Sequence, residues 1–384
     1  MKEFMNARQT GAASNSSSPR LEFRLATEAD DNGLRELLRS IRMDGAISVS
    51  FRREPNYFLG HACEGDWVQV ITAHDRQTGL LVGMGSRSIR ERYVAGVARN
   101  VGYLSGLRIH PDYRNRTMLA RGYRFLKELD SDQQADFYVT TIAVENSAAT
   151  SALVGGRAGL PYYKKVGMLN TWIVPRRKQL TLPANVSVRE IRREDLPALM
   201  IFLEKMSRER EWLPKYRATD FDFPSNTFLG MNLGDLLGVW ENEELLGTLG
   251  VWDQRFMKQI VVEKYAWWLR WMRPVYNAAA GLVGRVRFPK PGECLPLVTA
   301  VLPLASDRGS KYFGHLVDEV CRRLPASADA IMLGLNAADP LTDAIRSRSI
   351  ECYQTDIFVV SWDECRLENA LTPGSVPYLE LGTL

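Results

Sequence analysis

The feature that most constrains this chain is a recurrence. "FRLATEADDNGLRELLRSI" reads as a short strand, a turn and a helix, with Leu34, Leu37, Leu38 and Ile41 at helical spacing. The pattern returns from Val186 as "VSVREIRREDLPALMIFLEKM". Arg24 and Asp30 in the first stretch match Arg189 and Asp195 in the second, six residues apart in each. Each Asp falls where a helix N-cap is expected, just before the apolar period begins. A second match follows: Gly83 in "TGLLVGMGS" lies 53 residues after Asp30, and Gly247 in "ELLGTLGVW" lies 52 after Asp195. Both glycines fall in hairpin strands entered through polar turns. Two features repeated at one separation predict a duplicated α+β unit, residues 21–175 and 186–384, joined by a charged linker at 176–185.

A length of 384 residues agrees with two such units, and 45% apolar with 24% charged residues is the balance of a soluble globular protein. The net charge of +4 is small for this length, and the densest basic run is only "PRRK" at Pro175–Lys178, so no nucleic-acid partner is expected. Five cysteines, odd in number and widely spread, form no C-x-x-C pair, and four histidines are too scattered for a metal site. Reduced thiols, no metal and a cytoplasmic location are the expectation. Residues 1–20 lack an apolar core and are rich in Ser, Asn and Ala, which predicts a disordered tail rather than a signal peptide. No run approaches the roughly 18 apolar residues that span a bilayer, and membrane contact is not expected.

Within 21–175 the elements alternate as strand, helix, long hairpin, strand, helix, strand, helix, strand. The strand "VGYLSGLRIHP" leads into "DYRNRTMLARGYRFL", a turn followed by a helix with Met118, Leu119, Tyr123, Phe125 and Leu126 on one side. A buried strand, "DFYVTTIAV", then precedes the helix start "ENSAATSALV" and the segment "PYYKKVGM". In order and placement these stretches resemble three motifs of the GNAT-type acyl-CoA N-acyltransferases. Arg114 opens the [Q/R]-x-x-G-x-[G/A] loop, Asn146 and Ala149 match N-x-x-A, and Tyr163, Gly167 and Met168 match Y-x-x-x-G-[F/M]. The resemblance implies two tandem GNAT-like domains of mixed α/β (α+β) class, each a mostly antiparallel sheet flanked by helices. It also implies acyl-CoA, acetyl-CoA in the simplest case, as co-substrate.

The loop departs from its pattern, because Thr117 and Leu119 stand where the glycines belong. A pyrophosphate needs a helix N-terminus with free N–H groups and partial positive charge. Those amides survive both substitutions. Thr117 adds a hydroxyl, and Arg114 and Arg116 offer charged donors. Leu119 is compatible if its backbone is helical and its side chain turns into the core. Arg114, Asn115, Arg116, Thr117, Met118, Leu119 and Ala120 therefore make up the expected phosphate loop.

By resemblance, backbone amides at Leu107, Arg108 and Ile109 would bond the pantetheine arm, and one would polarise the thioester carbonyl. Asn146 would bond the same arm, or simply cap its helix. Tyr163 is the candidate general acid for the departing thiolate, with Tyr162 adjacent. No general base stands out. His61, Glu64 and Asp66 in "GHACEGD" read first as solvated loop residues, and His110 reads as positional.

In the second half, "CLPLVTAVLPLA" is the corresponding strand, and Lys311 and Phe313 fill the glycine slots counted from Arg308. No Y-x-x-x-G-[F/M] follows, so this half reads as degenerate, a wall of the acceptor pocket. Its insertion "KYAWWLRWMRPVYNAAAGLVGRVRFPKPGE" places three tryptophans in one helical stretch. The plainest reading is a helix packed between the domains, its arginine stems laid along apolar surface. A wall for a long acyl chain and a membrane-surface helix are the alternatives. The expected activity is transfer of an acetyl group from acetyl-CoA to a small-molecule or peptide amine by direct attack. Long-chain transfer to an amino acid, from acyl-CoA or acyl carrier protein, and a non-catalytic binding role are the other readings.

Overall fold

A computed structural model describes residues 20–114, 116–155, 159–176, 186–283 and 285–384. The expected tail (residues 1–19) and most of the expected linker (residues 177–185) lie outside the described residues. The first half runs β1 (Leu21–Leu25), α1 (Asp31–Ser40), β2 (Ile47–Arg52), β3 (Trp67–Asp75), β4 (Leu81–Val94) and β5 (Val97–Ile109). It continues with α2 (Arg116–Asp130), β6 (Phe137–Ala143), α3 (Ser147–Leu153) and β7 (Tyr162–Pro175). The second half runs β8 (Val186–Glu190), α4 (Leu196–Met206), β9 (Leu236–Glu241), β10 (Glu244–Trp252) and β11 (Gln259–Tyr265). After these come α5 (Trp267–Val283), β12 (Leu297–Ala305), α6 (Asp307–Arg322), β13 (Ala330–Asn336) and β14 (Glu351–Ser361).

Twelve strands form one sheet in the order β1-β3-β4-β5-β6-β14-β7-β13-β12-β10-β9-β8. The order is a palindrome about the β14–β7 pair, so the repeat read in the sequence is a repeat of structure. The last strand of each half crosses the midline. β14 lies antiparallel against β6 of the first half, while β7 lies antiparallel against β13 of the second. The registers are equivalent, Ala143 opposite Thr355 and Asn336 opposite Leu169. Neither half therefore has a free inner edge, which removes the aggregation hazard of an exposed strand.

Alternation along the strands assigns the two faces. In β3, Ile71 packs with Tyr123 and Leu126 of α2 and Leu153 of α3, while its neighbour Val70 packs with Leu34, Leu37 and Leu38 of α1. The second half repeats this: Leu237 and Val239 pack on α6, and Leu236 and Trp240 on α4.

The matched Arg–Asp pairs are ion pairs in both halves. Arg24 donates to both oxygens of Asp30 at 2.7 and 2.6 Å, and Arg189 to those of Asp195 at 2.6 and 2.9 Å. The expected N-cap role is corrected in one respect. A single 3-10 turn precedes each helix, and each Asp reaches back to the turn amide, Thr27 at 2.8 Å or Arg192 at 2.9 Å. Its carboxylate thus locks strand to turn instead of capping the helix ahead. A small second sheet joins the halves, with β11 pairing β2 and β2 pairing Arg42–Met43.

Candidate functional site

β5 and β6 run parallel only at Val101–Phe137, Gly102–Tyr138 and Tyr103–Val139. Beyond this the strands part. Side chains hold the fork instead: Thr140 Oγ1 donates to the Leu104 carbonyl at 2.8 Å, and the Tyr103 and Thr141 hydroxyls lie 2.8 Å apart. Backbone groups from Leu104 to Ile109 on the β6 side are thus released from the ladder. On the other edge of β5 the register slips, with Met84 opposite Arg108 but Ser86 opposite Ser105. Gly106 and Leu107 together face Gly85 alone, a β-bulge. Gly106 has φ +65°, a conformation that a side chain would strain. A fork beside a bulge presents strand amides to an extended ligand.

The turn Pro111–Tyr113 aims the chain from this fork into α2. Tyr113 donates its hydroxyl to Asp75 at the end of β3, 2.6 Å away, pinning the turn. Arg114 is exposed and donates Nε to the Ile109 carbonyl at 3.2 Å. Arg116 opens α2, while Asn115 and the Arg116 side chain lie outside the described residues. Thr117 and Ala120 are exposed in the first turns of the helix. Met118 is buried against Ala73 and Val82, and Leu119 packs beside Tyr123 in the core under α2. Both non-glycine residues are helical, with Leu119 turned inward as the loop requires.

Arg108 bonds the Leu107 carbonyl at 2.9 Å and faces Tyr57 and Tyr353, and burial lowers its pKa. Asn146 caps α3, accepting from the Ala149 amide at 3.1 Å. Tyr163 lies on β7, in register with Val360 and through it with Tyr138. It is half-buried, packs edge-on to Phe358, and shares a short hydrogen bond with the Tyr123 hydroxyl. Burial, reinforced by Tyr123, raises its pKa well above the ordinary phenol value, so it stays protonated. Tyr162, one residue away, points to the opposite side and is exposed. Tyr123 was missed as a polar partner because, in the sequence, it reads as one more member of the apolar stripe.

On the α1 face, the Tyr57 ring sits beside the bulge, its hydroxyl 3.8 Å from where a Gly106 Cβ would lie. His61 packs edge-on to Tyr57 and Phe58. The expectation of solvated loop residues is corrected for His61 and Glu64, while Asp66 is exposed. Glu64 is buried and ion-paired to Arg53 and, at 3.2 Å, to Lys258 of the second half. Burial alone would raise the Glu64 pKa, but the two cations outweigh it and hold it at about 2. Burial pushes the His61 imidazole down to about 4, and its Nε2 is buried with no hydrogen-bond partner.

The second half repeats the bulge but not its openings. Thr248 stands opposite Leu304 and Gly250 opposite Val301, which aligns Leu302 with Gly106 and Pro303 with Leu107. Leu302 has φ +51°, and its amide donates to the buried Glu380 Oε2 at 2.9 Å. Pro303 has no N–H at all. Arg308, the counterpart of Arg114 in sequence, is ion-paired to Glu241 and, at 2.6 Å, to Glu244. Phe313 is fully buried. Among the described residues there is no cluster of His, Cys, Asp and Glu arranged for a metal and no helix long and apolar enough to cross a membrane.

Strand order, fork and bulge are those of a tandem GNAT-like fold, and solved structures share it. Saccharomyces cerevisiae N-myristoyltransferase with bound myristoyl-CoA superposes with a TM-score of 0.55 at 11% identity, over 89% of this chain and 82% of that one. A GCN5-related glucosamine N-acetyltransferase region of a fungal multi-domain GH3 β-N-acetylglucosaminidase gives 0.59 at 11% identity, over 90% of this chain and 38% of that one. No family model matches the sequence, and no curated protein does.

Proposed function

We propose that this chain is an acyl-CoA-dependent N-acyltransferase whose donor site lies in residues 21–175, with residues 186–384 closing the acceptor side. The observation that carries this reading is the asymmetry of the two bulges. At Gly106–Leu107 the strand keeps its amides, whereas at Leu302–Pro303 one amide is bonded to Glu380 and the other does not exist. The phosphate end shows the same asymmetry, since Arg114 bonds a carbonyl while Arg308 is neutralised by two carboxylates.

In the reaction the amine attacks the thioester carbonyl carbon, the C–N bond forms and the C–S bond breaks. An amide near Leu107 stabilises the oxyanion. Tyr163, kept protonated by burial and oriented by Tyr123, gives its proton to the leaving thiolate, and the proton that the acylated nitrogen sheds restores the tyrosine by way of solvent. Holding amine and thioester together supplies much of the rate. We take an acetyl group as the first reading of the cargo, because Leu104, Ile142, Leu153 and Tyr123 pack against one another beside the fork. The fold neighbour with myristoyl-CoA bound keeps a long-chain donor as the second reading.

Thermal unfolding with acetyl-CoA, myristoyl-CoA and CoA tests this. A donor at 100 times its dissociation constant stabilises by about 2.7 kcal/mol. Stabilisation by acetyl-CoA supports the reading, stabilisation by myristoyl-CoA alone selects the long-chain variant, and no shift with any of them refutes an acyl-CoA enzyme.

A further inference from the structure

Helix α5 packs on the small sheet that joins the halves, with Leu269 beside Ile47 and Val49 of the first and Val262 and Tyr265 of the second, but only one of its sides is covered. At about 100° per residue, its inward side carries Leu269, Tyr276 and Ala280, with Tyr276 stacked on Phe288 and Leu269 packed near Tyr265. The outward side is apolar instead of polar. Trp267, Trp271 and Val275, at i, i+4 and i+8, are 78%, 79% and 76% exposed. Trp268 and Met272 lie next to them at 45% and 56%. Together these five side chains span an arc of about 140°. Exposed tryptophans on this scale are unusual on a water-facing helix, and an apolar patch of this kind marks an interaction surface.

Charge identifies the partner. From Lys264 to Gly292 the chain has six basic residues and no acidic one. Arg270 is exposed at the flank of the apolar arc, and Arg285 and Lys290 are exposed beyond the helix. Lys264 precedes the helix and is ion-paired at 3.2 Å to Asp44, which follows the exposed edge strand Arg42–Met43. Tryptophan rings favour the headgroup boundary of a bilayer, where an apolar body and an N–H donor are both satisfied. A basic rim around such rings suits an anionic headgroup layer. We propose that the outward face of α5 seats this protein on an anionic lipid surface, lying in the interface without crossing it.

The test is co-sedimentation of the full chain with phosphatidylcholine vesicles, with and without phosphatidylserine. Binding is expected only with phosphatidylserine, weakening as salt rises. Trp267→Ser combined with Trp271→Ser should weaken it by about tenfold or more, and Arg270→Glu by about fivefold or more. Because these side chains are exposed, the melting temperature should not move, which separates lost binding from lost fold. Absence of binding, equal binding to both vesicle types, or binding that survives the double substitution would overturn the proposal. So would a vesicle-free dimer, seen by sedimentation velocity and abolished by the double substitution, since the face would then belong to a second copy.

Discussion

The Leu302 amide donates to Glu380 Oε2 at 2.9 Å, at the register position that Gly106 holds in the first half. A carboxylate of the chain itself thus takes up the amide at this position in the second half. Next to it, Pro303 replaces Leu107 and removes the second donor. The duplicated sheet has kept the bulge geometry in both copies and both N–H donors in only one.

The two loop arginines should respond differently. Arg114→Glu places a negative charge at the open N-terminus of α2 and should weaken acetyl-CoA binding by about tenfold or more. Arg308→Glu should leave that affinity unchanged, because Arg308 is occupied by Glu241 and Glu244. Isothermal titration of both variants checks this, and equal losses would place a second donor site at α6.

Tyr163→Phe should lower kcat by about 10²-fold while acetyl-CoA affinity stays near that of the wild type. Tyr123→Phe, which removes only the partner hydroxyl, should cost less, and it should shift the alkaline limb of the kcat–pH profile. Unchanged turnover in Tyr163→Phe would take this residue out of the chemistry.

Stability should fall on the acid side in two stages. His61 has a folded-state pKa of about 4, below its unfolded value near 6.5, so the folded state binds fewer protons between these limits. Its contribution, about 3 kcal/mol by this shift, is complete above about pH 6.5 and is lost as pH falls through 4. Glu64, held at about 2, and Asp30, held at about 2 chiefly by its Arg24 hydrogen bond, lose theirs lower, as pH falls from about 4.5 toward 2. Urea unfolding across pH should show the upper stage flattened in His61→Gln and preserved in Asp30→Asn.

Gly106→Ala should cost about 1 kcal/mol, because alanine disfavours φ +65°. It should also reduce kcat by reshaping the bulge, whereas Gly85→Ala, at an ordinary φ and with its nearest neighbour 4.0 Å away, should do neither. Denaturant midpoints and single-substrate kinetics on both variants separate the two positions.

The repeat was legible because ion pairs and hairpin glycines recur at fixed separations, and Arg24–Asp30 and Arg189–Asp195 need only local chain to form. The two strands of the fork were legible, in the β-branched run "DFYVTTIAV" and in the strand "LSGLRIH". The crossing of β7 and β14 was not. Both strands are central and buried only toward their C-terminal ends, and periodicity does not tell which neighbour a central strand takes. Burial of Glu64 was hidden for a related reason, since its partners Arg53 and Lys258 come from two halves of the chain. Helix α5 differs in the opposite direction: its plainest sequence reading covers it between the domains, yet the small sheet beneath it covers only the Leu269 side.

One bulge, at Gly106–Leu107, is proposed to serve the thioester. Leu107→Pro tests it most directly, because Pro303 shows that the same bulge accommodates proline at this register position. Acetyl-CoA titration of the wild-type chain should give one site per chain, and Leu107→Pro should lower kcat by about 10²-fold or more with the melting temperature little changed. Two sites per chain, or wild-type turnover in Leu107→Pro, would contradict the assignment.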